Sequence, residues 1–353
     1  MKNLGAINLL FIRLQKLATI TRSNEWWASK GSPVLATAYA TASILNIPLV
    51  SLWNSLIFLL ISLTVVAIYA HLLNDISDQD EDLIVGKSNG LAGRSKSFKG
   101  IAIILCLFPG LLVIGCLIKL PLALAIYISN WLIFICYSIP PIRLKQRGFL
   151  GVLADATGAH LLPNLFAVVW IAHASEQKIP LLWIILVGIW SLATGLRGIL
   201  WHQIKDIEND RLTGVNTFAV QTSIKTLKGL GQWVVFPLEV IAFTGMVIIC
   251  GNYLLIIFLL IHLVTQWLRY HFWQINSIIV APVSSDSMLL EEYYALFYPL
   301  AFLVSAAWQN PLNLIFSGIH LILYPNHLRW WLRDIHGLLR WEIPNYFSKF
   351  QKS

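Results

Sequence analysis

Charge is scarce in this sequence. Only 12% of its residues are charged, against 57% that are hydrophobic, and its mean hydropathy is +0.70. This apolar content is too high for a soluble globular domain, so that class is excluded. The apolar runs are continuous and lack the period-2 alternation of a transmembrane β-barrel. The composition therefore predicts an all-α, polytopic membrane protein.

The signals of three further classes are also missing. The four cysteines lie inside apolar runs without paired spacing, which predicts neither a disulfide framework nor a thiolate metal site. The N-terminus lacks the pattern of a cleavable signal peptide. No arginine-rich patch with interleaved aromatic residues indicates nucleic-acid binding, and basic loops facing anionic lipid explain the net charge of +8. We therefore expect membrane lipid, and no nucleic acid, among the partners.

Apolar runs long enough to cross ~30 Å of hydrocarbon recur along the chain. Nine candidate spans lie at residues 33–51, 53–74, 100–118, 121–139, 150–172, 181–204, 231–250, 252–269 and 288–308. Residues 1–32 are predicted to be an interfacial segment, and residues 33–308 a transmembrane domain. Residues 309–353 combine a short apolar run at 311–324, which is hardly long enough to span, with a basic, aromatic interfacial helix.

Basic residues indicate the orientation of the spans. The loops after spans two, four and six are rich in lysine and arginine, as Lys87, Arg143 and Lys205 illustrate, and the opposite loops are not. Because basic loops stay in the cytoplasm, we expect the ends of these three spans, and any site that they form, to face the cytoplasm.

An acidic stretch, Asn74-Asp75-Ile76-Ser77-Asp78-Gln79-Asp80-Glu81-Asp82, ends the second span. If the helix continues through it, Asp75, Asp78 and Asp82 fall at i, i+3 and i+7 on one face. Like charges at this density need a multivalent cation, and oxygen ligands favour Mg²⁺, which commonly binds together with phosphate. The alternative is an ordinary solvated acidic loop.

A second acidic stretch ends the sixth span, where Asp206 and Asp210 form an i, i+4 pair. Cations accompany both stretches, with Lys87 near the first and Arg211 beside the second. The pattern indicates a site for a metal-bound polyanion. It also predicts two related helical halves around a shared cavity with a polar entrance and an apolar interior.

A third polar element, Tyr137-Ser138-Ile139-Pro140-Pro141-Ile142-Arg143-Leu144-Lys145-Gln146-Arg147-Gly148, ends the fourth span. Its two prolines cannot continue the helix. The cations that follow, Arg143 and Lys145 among them, bind phosphate oxygens in one interpretation and only anchor the span in the other.

The three elements together resemble the motifs of the UbiA superfamily of intramembrane prenyltransferases. Asn74-Asp75-x-x-Asp78-x-x-x-Asp82 resembles that family's first aspartate-rich motif, and Asp206-x-x-x-Asp210 resembles its second. The turn at Tyr137–Lys145 is similar to the one between them, and the resemblance covers roughly residues 30–310. It implies about nine transmembrane helices around a central cavity. It also implies Mg²⁺-dependent transfer of an isoprenyl group from an allylic diphosphate to a small hydrophobic acceptor, aromatic or a quinone precursor.

The resemblance assigns roles by position. The metal ligands are Asp75, Asp78, Asp82, Asp206 and Asp210. The diphosphate contacts are Asn74, Lys87, Arg143, Lys145 and Arg211. The catalytic set comprises Asp75, Asp78, Asp206 and Asp210 together with His202, which lies one helical turn before Asp206 and is a candidate general base or acceptor contact. Independently of the resemblance, polar residues within or at the ends of the predicted spans are candidate acceptor and cavity contacts, namely Tyr137, Asp155, His160, Asn164 and Arg197.

Several of these residues also have a purely structural interpretation. His202 could be a satisfied helix-end histidine, Asp155 could hydrogen bond near the interface, and Arg197 could form a buried ion pair. Glu239, alone in the seventh span, suggests a structural role or none.

Two other functions use related features. A transporter or channel would place its charges at mid-membrane, whereas both acidic stretches here lie at helix ends. A membrane CDP-alcohol phosphotransferase also uses paired aspartates and a divalent ion, but its Asp-Gly-x-x-Ala-Arg pattern is absent.

Overall fold

The computed structural model describes residues 15–280, 287–344 and 346, and this part of the chain is almost entirely helical. Its α-helices are α1 Ser23–Trp26, α2 Ser32–Ile44, α3 Trp53–Ser77, α4 Gln79–Ile84, α5 Lys96–Leu117, α6 Pro121–Ser138, α7 Phe149–Ala156, α8 Leu162–Ala174, α9 Leu181–Thr213, α10 Phe218–Gln221, α11 Ile224–Leu230, α12 Phe236–Cys250, α13 Tyr253–Trp273, α14 Tyr298–Gln309, α15 Leu314–Leu323 and α16 Pro325–Gly337.

Short segments of other regular structure join these helices. π-Helical turns occur at Trp27–Gly31, Thr157–Leu161, Gly231–Val235, Tyr293–Phe297 and Leu338–Glu342. 3₁₀ turns occur at Leu49–Leu52, Leu144–Gln146 and Pro311–Asn313. Two short parallel strands, β1 Ser277–Ile278 and β2 Ser287–Met288, pair with each other.

Seven helical stretches in the described ranges are long and apolar enough to cross a membrane. They are Leu49–Ser77, Lys96–Leu117, Pro121–Ser138, Phe149–Ala174, Leu181–Thr213, Ile224–Cys250 and Tyr253–Trp273. The predicted class, an all-α integral membrane protein that crosses the bilayer several times, is confirmed. The other two predicted spans, 33–51 and 288–308, coincide with helices α2 and α14, which are shorter.

Helices α2 and α14 form the interior of the bundle. They pack against each other, and α2 also packs against α8. Helix α2 is rich in alanine and threonine, and nearly every residue from Ser32 to Ala42 is buried. This is expected for a helix that carries small, mostly apolar side chains on every side. The Thr41 hydroxyl donates to Thr37 O at 2.7 Å, and Thr37 Oγ1 lies 3.1 Å from Pro33 O, so neither hydroxyl needs water.

Helix α9 is longer than its predicted span. Its 33 residues correspond to about 50 Å, more than the ~30 Å hydrocarbon core requires. Its C-terminal end therefore projects beyond the apolar part of the bundle and carries Asp206 and Asp210 with it. The helix stops at Gly214, whose φ of 71° is the left-handed conformation that suits glycine at a helix C-terminus.

The C-terminal helices fold back onto the bundle. Arg269 of α13 pairs with Asp334 of α16 at 2.9 Å, and Trp331 donates to Thr265 at 3.2 Å. The predicted short run at 311–324 forms helix α15, and α16 follows it. The first 14 residues of the predicted N-terminal interfacial segment and most of the chain after residue 344 lie outside the described residues. The division into three regions stays a prediction.

Candidate active site

Two adjoining cavities lie at the end of the bundle where the acidic stretches meet. The larger has a volume of about 440 Å³ and is called here the chamber. The smaller has a volume of about 110 Å³ and is called the mouth. Both are lined by Asn74, Lys87, Tyr137, Ile199 and His202. The two cavities share these walls and therefore adjoin each other, in the place where the sequence predicts a polar entrance to an apolar interior.

Oxygen ligands from both acidic stretches converge on the mouth. Its lining includes Asn74, Asp78, Asp82, Asp206 and Asp210. The stretches meet because helix α3 and helix α9 end on the same side of the bundle and because α4 packs on α9. Lys87 spans the gap and donates to Asp206 at 3.0 Å, a contact between residues 119 positions apart. The convergence predicted from the sequence is present in the fold.

The face of the first stretch that lines the mouth differs from the predicted one. Asp78 lies at the break between α3 and α4, yet its N–H donates to Asn74 O at 2.9 Å, and the Asp82 N–H donates to Asp78 O at 2.8 Å. The helical hydrogen bonds thus continue through the break at four-residue steps. Asn74, Asp78 and Asp82 share the inner face because i, i+4 positions lie above one another on a helix.

Asp75, predicted as a metal ligand and catalytic residue, lines neither cavity. Its fully buried carboxylate accepts from the Gly90 N–H at 3.0 Å and from Arg22 Nη1 at 3.2 Å. The adjacent Asn89 amide donates to Asp75 O at 2.8 Å. Asp75 therefore fastens the Lys87–Gly90 loop and the N-terminal segment to helix α3, and the structure does not bring it together with the other carboxylates.

The carboxylates of the mouth are held by groups of the chain itself. Lys145 contacts Asp78, and Thr217 Oγ1 donates to Asp210 at 2.9 Å. Asn89 donates to Asp82 at 2.8 Å. Burial raises the pKa of Asp82 above its ordinary value, and the Asn89 hydrogen bond works in the opposite direction. Asp78, Asp82, Asp206 and Asp210 thus each have a partner within the chain, a lysine for Asp78 and Asp206 and a neutral donor for Asp82 and Asp210.

The mouth fits a hard cation through its donor chemistry. Its acidic and amide ligands offer oxygen atoms only, as Mg²⁺ prefers. The Asn74 Oδ1 atom is buried and has no hydrogen-bond partner in the part of the chain that the structure describes. Among those residues no three histidine, cysteine, aspartate or glutamate side chains form a ready-made metal centre. The fit is therefore to a metal that brings further oxygen ligands with it, as a diphosphate does.

Two of the predicted diphosphate contacts line neither cavity. Arg143 donates to Glu81 at 2.6 Å and lies 3.4 Å from Asp78, and both of these acidic residues line the mouth. Arg211 is exposed and pairs with Glu208 at 2.9 Å. Neither lines a cavity. Lys87 and Lys145 do line the mouth, so its cationic side is made of lysines.

The predicted acceptor residues all line the chamber. They are Tyr137, Asp155, His160, Asn164 and Arg197. The Asn164 amide is fixed by Thr37, which donates to its Oδ1 at 2.7 Å, and by its own donation to His160 O at 2.8 Å. His202 lies at the junction of chamber and mouth, and its Nε2 is 3.5 Å from Asp206.

Arg197 forms the buried ion pair that was its alternative interpretation. Its Nε and Nη2 atoms each lie 2.7 Å from the Glu239 carboxylate, and both side chains are fully buried. Its Nη1 donates to Leu289 O at 2.8 Å. This geometry gives Glu239 a structural role as the partner of Arg197. The paired guanidinium nitrogens that would bind an acceptor carboxylate are therefore already occupied.

Sequence reasoning missed several lining residues. Lys30 and Glu291 line the chamber, and Gln203 and Thr217 line the mouth. Glu291 had a signal, since an acidic residue within a predicted apolar span is a functional candidate. Lys30 carried none, because the segment before the first span was assigned to the membrane surface.

Apolar and aromatic side chains form much of the remaining chamber wall. Leu60, Leu63 and Ala67 of α3 lie on one side together with Phe134 of α6. Trp190 and Tyr294 also line it, with ring centroids 5.3 Å apart in an edge-to-face arrangement. Such walls exclude water and offer aromatic faces to a cation.

Comparisons with known proteins identify one matching family model. The model described as the UbiA prenyltransferase family matches residues 33–279. A comparison with curated proteins found no match. Two solved structures of a UbiA homolog from Archaeoglobus fulgidus are similar, each covering 91% of this chain and 99% of theirs with a TM-score of 0.49. One was solved with GPP and Mg²⁺ and is 14% identical, and the other with DMAPP and Mg²⁺ and is 13% identical.

Proposed function

The chain belongs to the UbiA prenyltransferase family, and from that premise we propose that it transfers an isoprenyl group from an allylic isoprenyl diphosphate to a small hydrophobic acceptor within the membrane. The family predicted from the three motifs is confirmed. The observation that carries the proposal is the convergence of Asn74, Asp78, Asp82, Asp206 and Asp210 on one mouth beside an apolar chamber. The transporter and CDP-alcohol phosphotransferase alternatives are not retained.

Mg²⁺ is the cofactor of this reaction. Asn74, Asp78, Asp82, Asp206 and Asp210 would hold it, since their oxygens line the mouth. Bound there with the diphosphate, it would supply positive charge against the negative charge that develops as the allylic carbon–oxygen bond breaks.

The lysines of the mouth serve the same leaving group directly. Lys87 and Lys145 are paired with Asp206 and Asp78. Both lysines line the mouth beside the carboxylates that would hold the metal, so each ammonium would also contact the diphosphate oxygens. Lys30, which lines the chamber, adds a cation on the N-terminal side. We place this mouth on the cytoplasmic side, from the basic loops around it.

The chamber supports the second half of the reaction. Its apolar wall from α3 and α6 keeps water from the allylic cation, and the Trp190 and Tyr294 rings offer it π-faces. His202 lies between chamber and mouth, 3.5 Å from Asp206. That position suits a base that receives the proton released when the acceptor forms its new bond.

The experiment compares carboxylates that share one stretch. Asp78→Asn and Asp210→Asn are expected to lower prenyl transfer by at least about 100-fold, measured with radiolabelled geranylgeranyl diphosphate, Mg²⁺ and an acceptor panel on protein in lipid nanodiscs. The matched control is Asp80→Asn, because Asp80 is exposed and lines neither cavity. Chelation by EDTA should abolish the same activity. Equal activity of the Asp78, Asp210 and Asp80 variants would contradict the proposal.

A further inference from the structure

We propose that Tyr324 limits the length of the isoprenyl chain that the protein accepts, because it closes the chamber toward the lipid. The proposal rests on the proposed function and names the size of donor that the same site takes. Tyr324 lines the chamber and is 2% exposed. It lies in the C-terminal part of the chain, well beyond residue 279, where the family match ends.

Tyr324 lies at a break between two helices that a proline enforces. Helix α15 ends at Leu323, α16 begins at Pro325, and Tyr324 between them has a φ of −126° and a ψ of 60°. The helical conformation is disfavoured for the residue before a proline, because the proline ring collides with its backbone. The end of α15 leaves the Leu323 carbonyl without a partner in the helix, and Trp27 Nε1 donates to it at 2.7 Å. This contact between residues 296 positions apart fixes the backbone beside Tyr324.

The Tyr324 ring packs against the π-helical turn Trp27–Gly31. It stacks on the Trp27 ring, with the two centroids 5.5 Å apart. A Cβ atom on Gly31 would lie 2.8 Å from the Tyr324 hydroxyl oxygen and 3.2 Å from its Cε1 atom, so glycine is needed here to leave room for the ring. Trp27 and Gly31 also line the chamber. The three residues therefore form one continuous part of the chamber wall.

Helix α15 covers a gap between two helices of that wall. Helices α2 and α3 both line the chamber, yet they do not pack closely on each other within the described residues. Phe316 of α15 packs edge-to-face on Trp53 of α3, with ring centroids 5.7 Å apart. One turn further, His320 Nε2 lies 3.2 Å from the Ser32 hydroxyl of α2. Tyr324 follows after another turn on the same face, so α15 bridges the gap and Tyr324 fills the side that faces the chamber.

The opposite face of α15 is apolar and exposed. It carries Leu314, Ile315 and Ile322. On a bundle that spans a membrane, an apolar face of this kind lies against lipid. At this place, therefore, only the thickness of one helix separates the chamber from the hydrocarbon of the bilayer.

The lining residues assign the isoprenyl chain to this side of the chamber. The wall formed by α8, α9 and the π-helical turn before α8 carries polar groups such as His160 and Arg197. The wall formed by α2 and α3 is mostly apolar, with Val34 and Leu63 as examples. A hydrocarbon chain is more stable against the apolar wall, because it leaves no polar group unsolvated there. This is the wall that α15 bridges and Tyr324 completes.

The length of the chamber matches a chain of about four isoprene units. Asn74 at the mouth and Leu60 at the inner end lie fourteen residues apart on α3 and both line the chamber, a distance of ~21 Å along a helix. An extended isoprene unit adds four chain bonds, or ~5 Å from ordinary carbon–carbon bond lengths. One turn beyond this end, Leu56 of α3 and Val187 of α9 are buried and line neither cavity. A longer chain therefore fits only if it leaves sideways, past Tyr324.

The test measures the binding of two donors of different length. Geranylgeranyl diphosphate has four isoprene units, and hexaprenyl diphosphate has six. Their dissociation constants are measured calorimetrically with Mg²⁺ for the protein in lipid nanodiscs, without an acceptor. We expect the wild type to bind the shorter donor at least about tenfold more tightly, because the longer chain has to be forced into a filled wall.

Substitutions of Tyr324 should reduce this preference according to the space that they open. Tyr324→Ala should bring the ratio of the two dissociation constants to within about twofold of one. Tyr324→Leu should give an intermediate ratio, and it provides the test if the alanine variant does not fold. Tyr324→Phe should retain the wild-type ratio, because it keeps the ring and the lost hydroxyl has no hydrogen-bond partner within the described residues.

The matched control is Phe302→Ala, which removes a buried aromatic ring of α14 that lines neither cavity. It should leave the ratio unchanged, even if it lowers stability. Both donors partition into the same nanodisc lipid in every variant, so a change of the ratio between variants reports on the chamber. Equal binding of the two donors to the wild type, or an unchanged ratio in the alanine and leucine variants, would overturn the inference.

The same measurement separates this inference from the proposed function. Mg²⁺-dependent binding of geranylgeranyl diphosphate to the wild type tests the donor site itself, and its absence would contradict the proposed function. Donor binding with a length preference that Tyr324 does not change would contradict this inference alone.

Discussion

Two ion pairs with opposite roles lie about two and a half helical turns apart along helix α9. Lys87–Asp206 lies at the mouth, with side-chain exposures of 34% and 18%, whereas Arg197–Glu239 lies deep in the bundle, with 0% for both. The lysine has one hydrogen bond to its partner, and the guanidinium makes two to Glu239 and another to Leu289 O. The first pair is exposed enough for a ligand to reach its lysine, whereas every nitrogen of the Arg197 guanidinium already donates to the chain and both side chains are fully buried.

The difference follows from whether another group can compensate each charge when its ion pair is broken. At the mouth, water and an arriving anion compensate a separated lysine, so breaking the pair costs little and is part of binding. In the interior nothing else compensates a separated arginine, and the pair must stay closed. A charged residue on a membrane helix is therefore informative about chemistry only when its partner is known. The following variants test this contrast.

The largest expected effect is at the interior pair. Glu239→Ala leaves the Arg197 charge buried and uncompensated, which should lower the free energy of unfolding by about 3–5 kcal/mol, measured by chemical unfolding in nanodiscs. The double variant Arg197→Met/Glu239→Leu removes both charges and should recover most of that loss. A single variant as stable as the wild type would contradict a structural role for this pair.

A smaller loss of stability is expected at Asp75. Asp75→Asn removes the charge that holds Arg22 and weakens the bond from the Gly90 N–H, at an expected cost of about 1–3 kcal/mol. The Lys87–Gly90 loop should loosen, so KM for the donor should rise more than kcat falls.

A direct metal ligand behaves differently from this positioning residue. If Asp75→Asn lowered kcat as severely as Asp78→Asn without any change in stability, Asp75 would contact the metal after all. The same unfolding and turnover measurements on both variants decide between the two roles.

The mouth pair should affect binding and not folding. Lys87→Met removes a cation that the diphosphate would contact, and KM for the donor should rise about tenfold, with the free energy of unfolding unchanged. Lys119→Met is the control, since Lys119 is exposed and lines neither cavity. A loss of stability without a change in KM would show that the Lys87–Asp206 pair resembles the interior pair.

The smallest effect is expected at Arg211. This residue is exposed and paired with Glu208, and exposed pairs contribute little. Arg211→Ala should therefore change donor KM by less than about twofold, the range of a weak exposed pair, in the same assay as Lys87→Met. A tenfold increase would restore the diphosphate role predicted from its place after the second motif.

The sequence predicted which residues form this site better than it predicted which way their side chains face. Asn74, Asp78, Asp82, Asp206 and Asp210, which line the mouth, were all named from the sequence, the four aspartates because clustered carboxylates in an apolar chain are conspicuous and Asn74 because of the family resemblance. Asp75 and Arg211 were grouped with them because adjacency in sequence does not reveal which side of a helix end faces a neighbour. The four-residue steps from Asn74 were available in the sequence, but the choice between that face and the one through Asp75 required helix α9 to be in place.

Contacts between residues distant in the chain could not be predicted from the sequence for the same reason. Arg197 and Glu239 were each noted as isolated charges, and an ion pair was only one interpretation of the arginine. Their ion pair depends on helix α9 packing against α12. Glu291 carried a signal as an acidic residue within a predicted apolar span, but its place on the chamber wall depends on how several helices pack.

The amino-acid sequence by itself determined the membrane class and the location of the charged helix ends, because hydrophobicity and charge are properties of each residue and its near neighbours along the chain. Only the tertiary structure decided which charges are neutralised by the chain and which stay open to a ligand. Electrostatic energy depends on distance in space and on burial, and helix packing sets both.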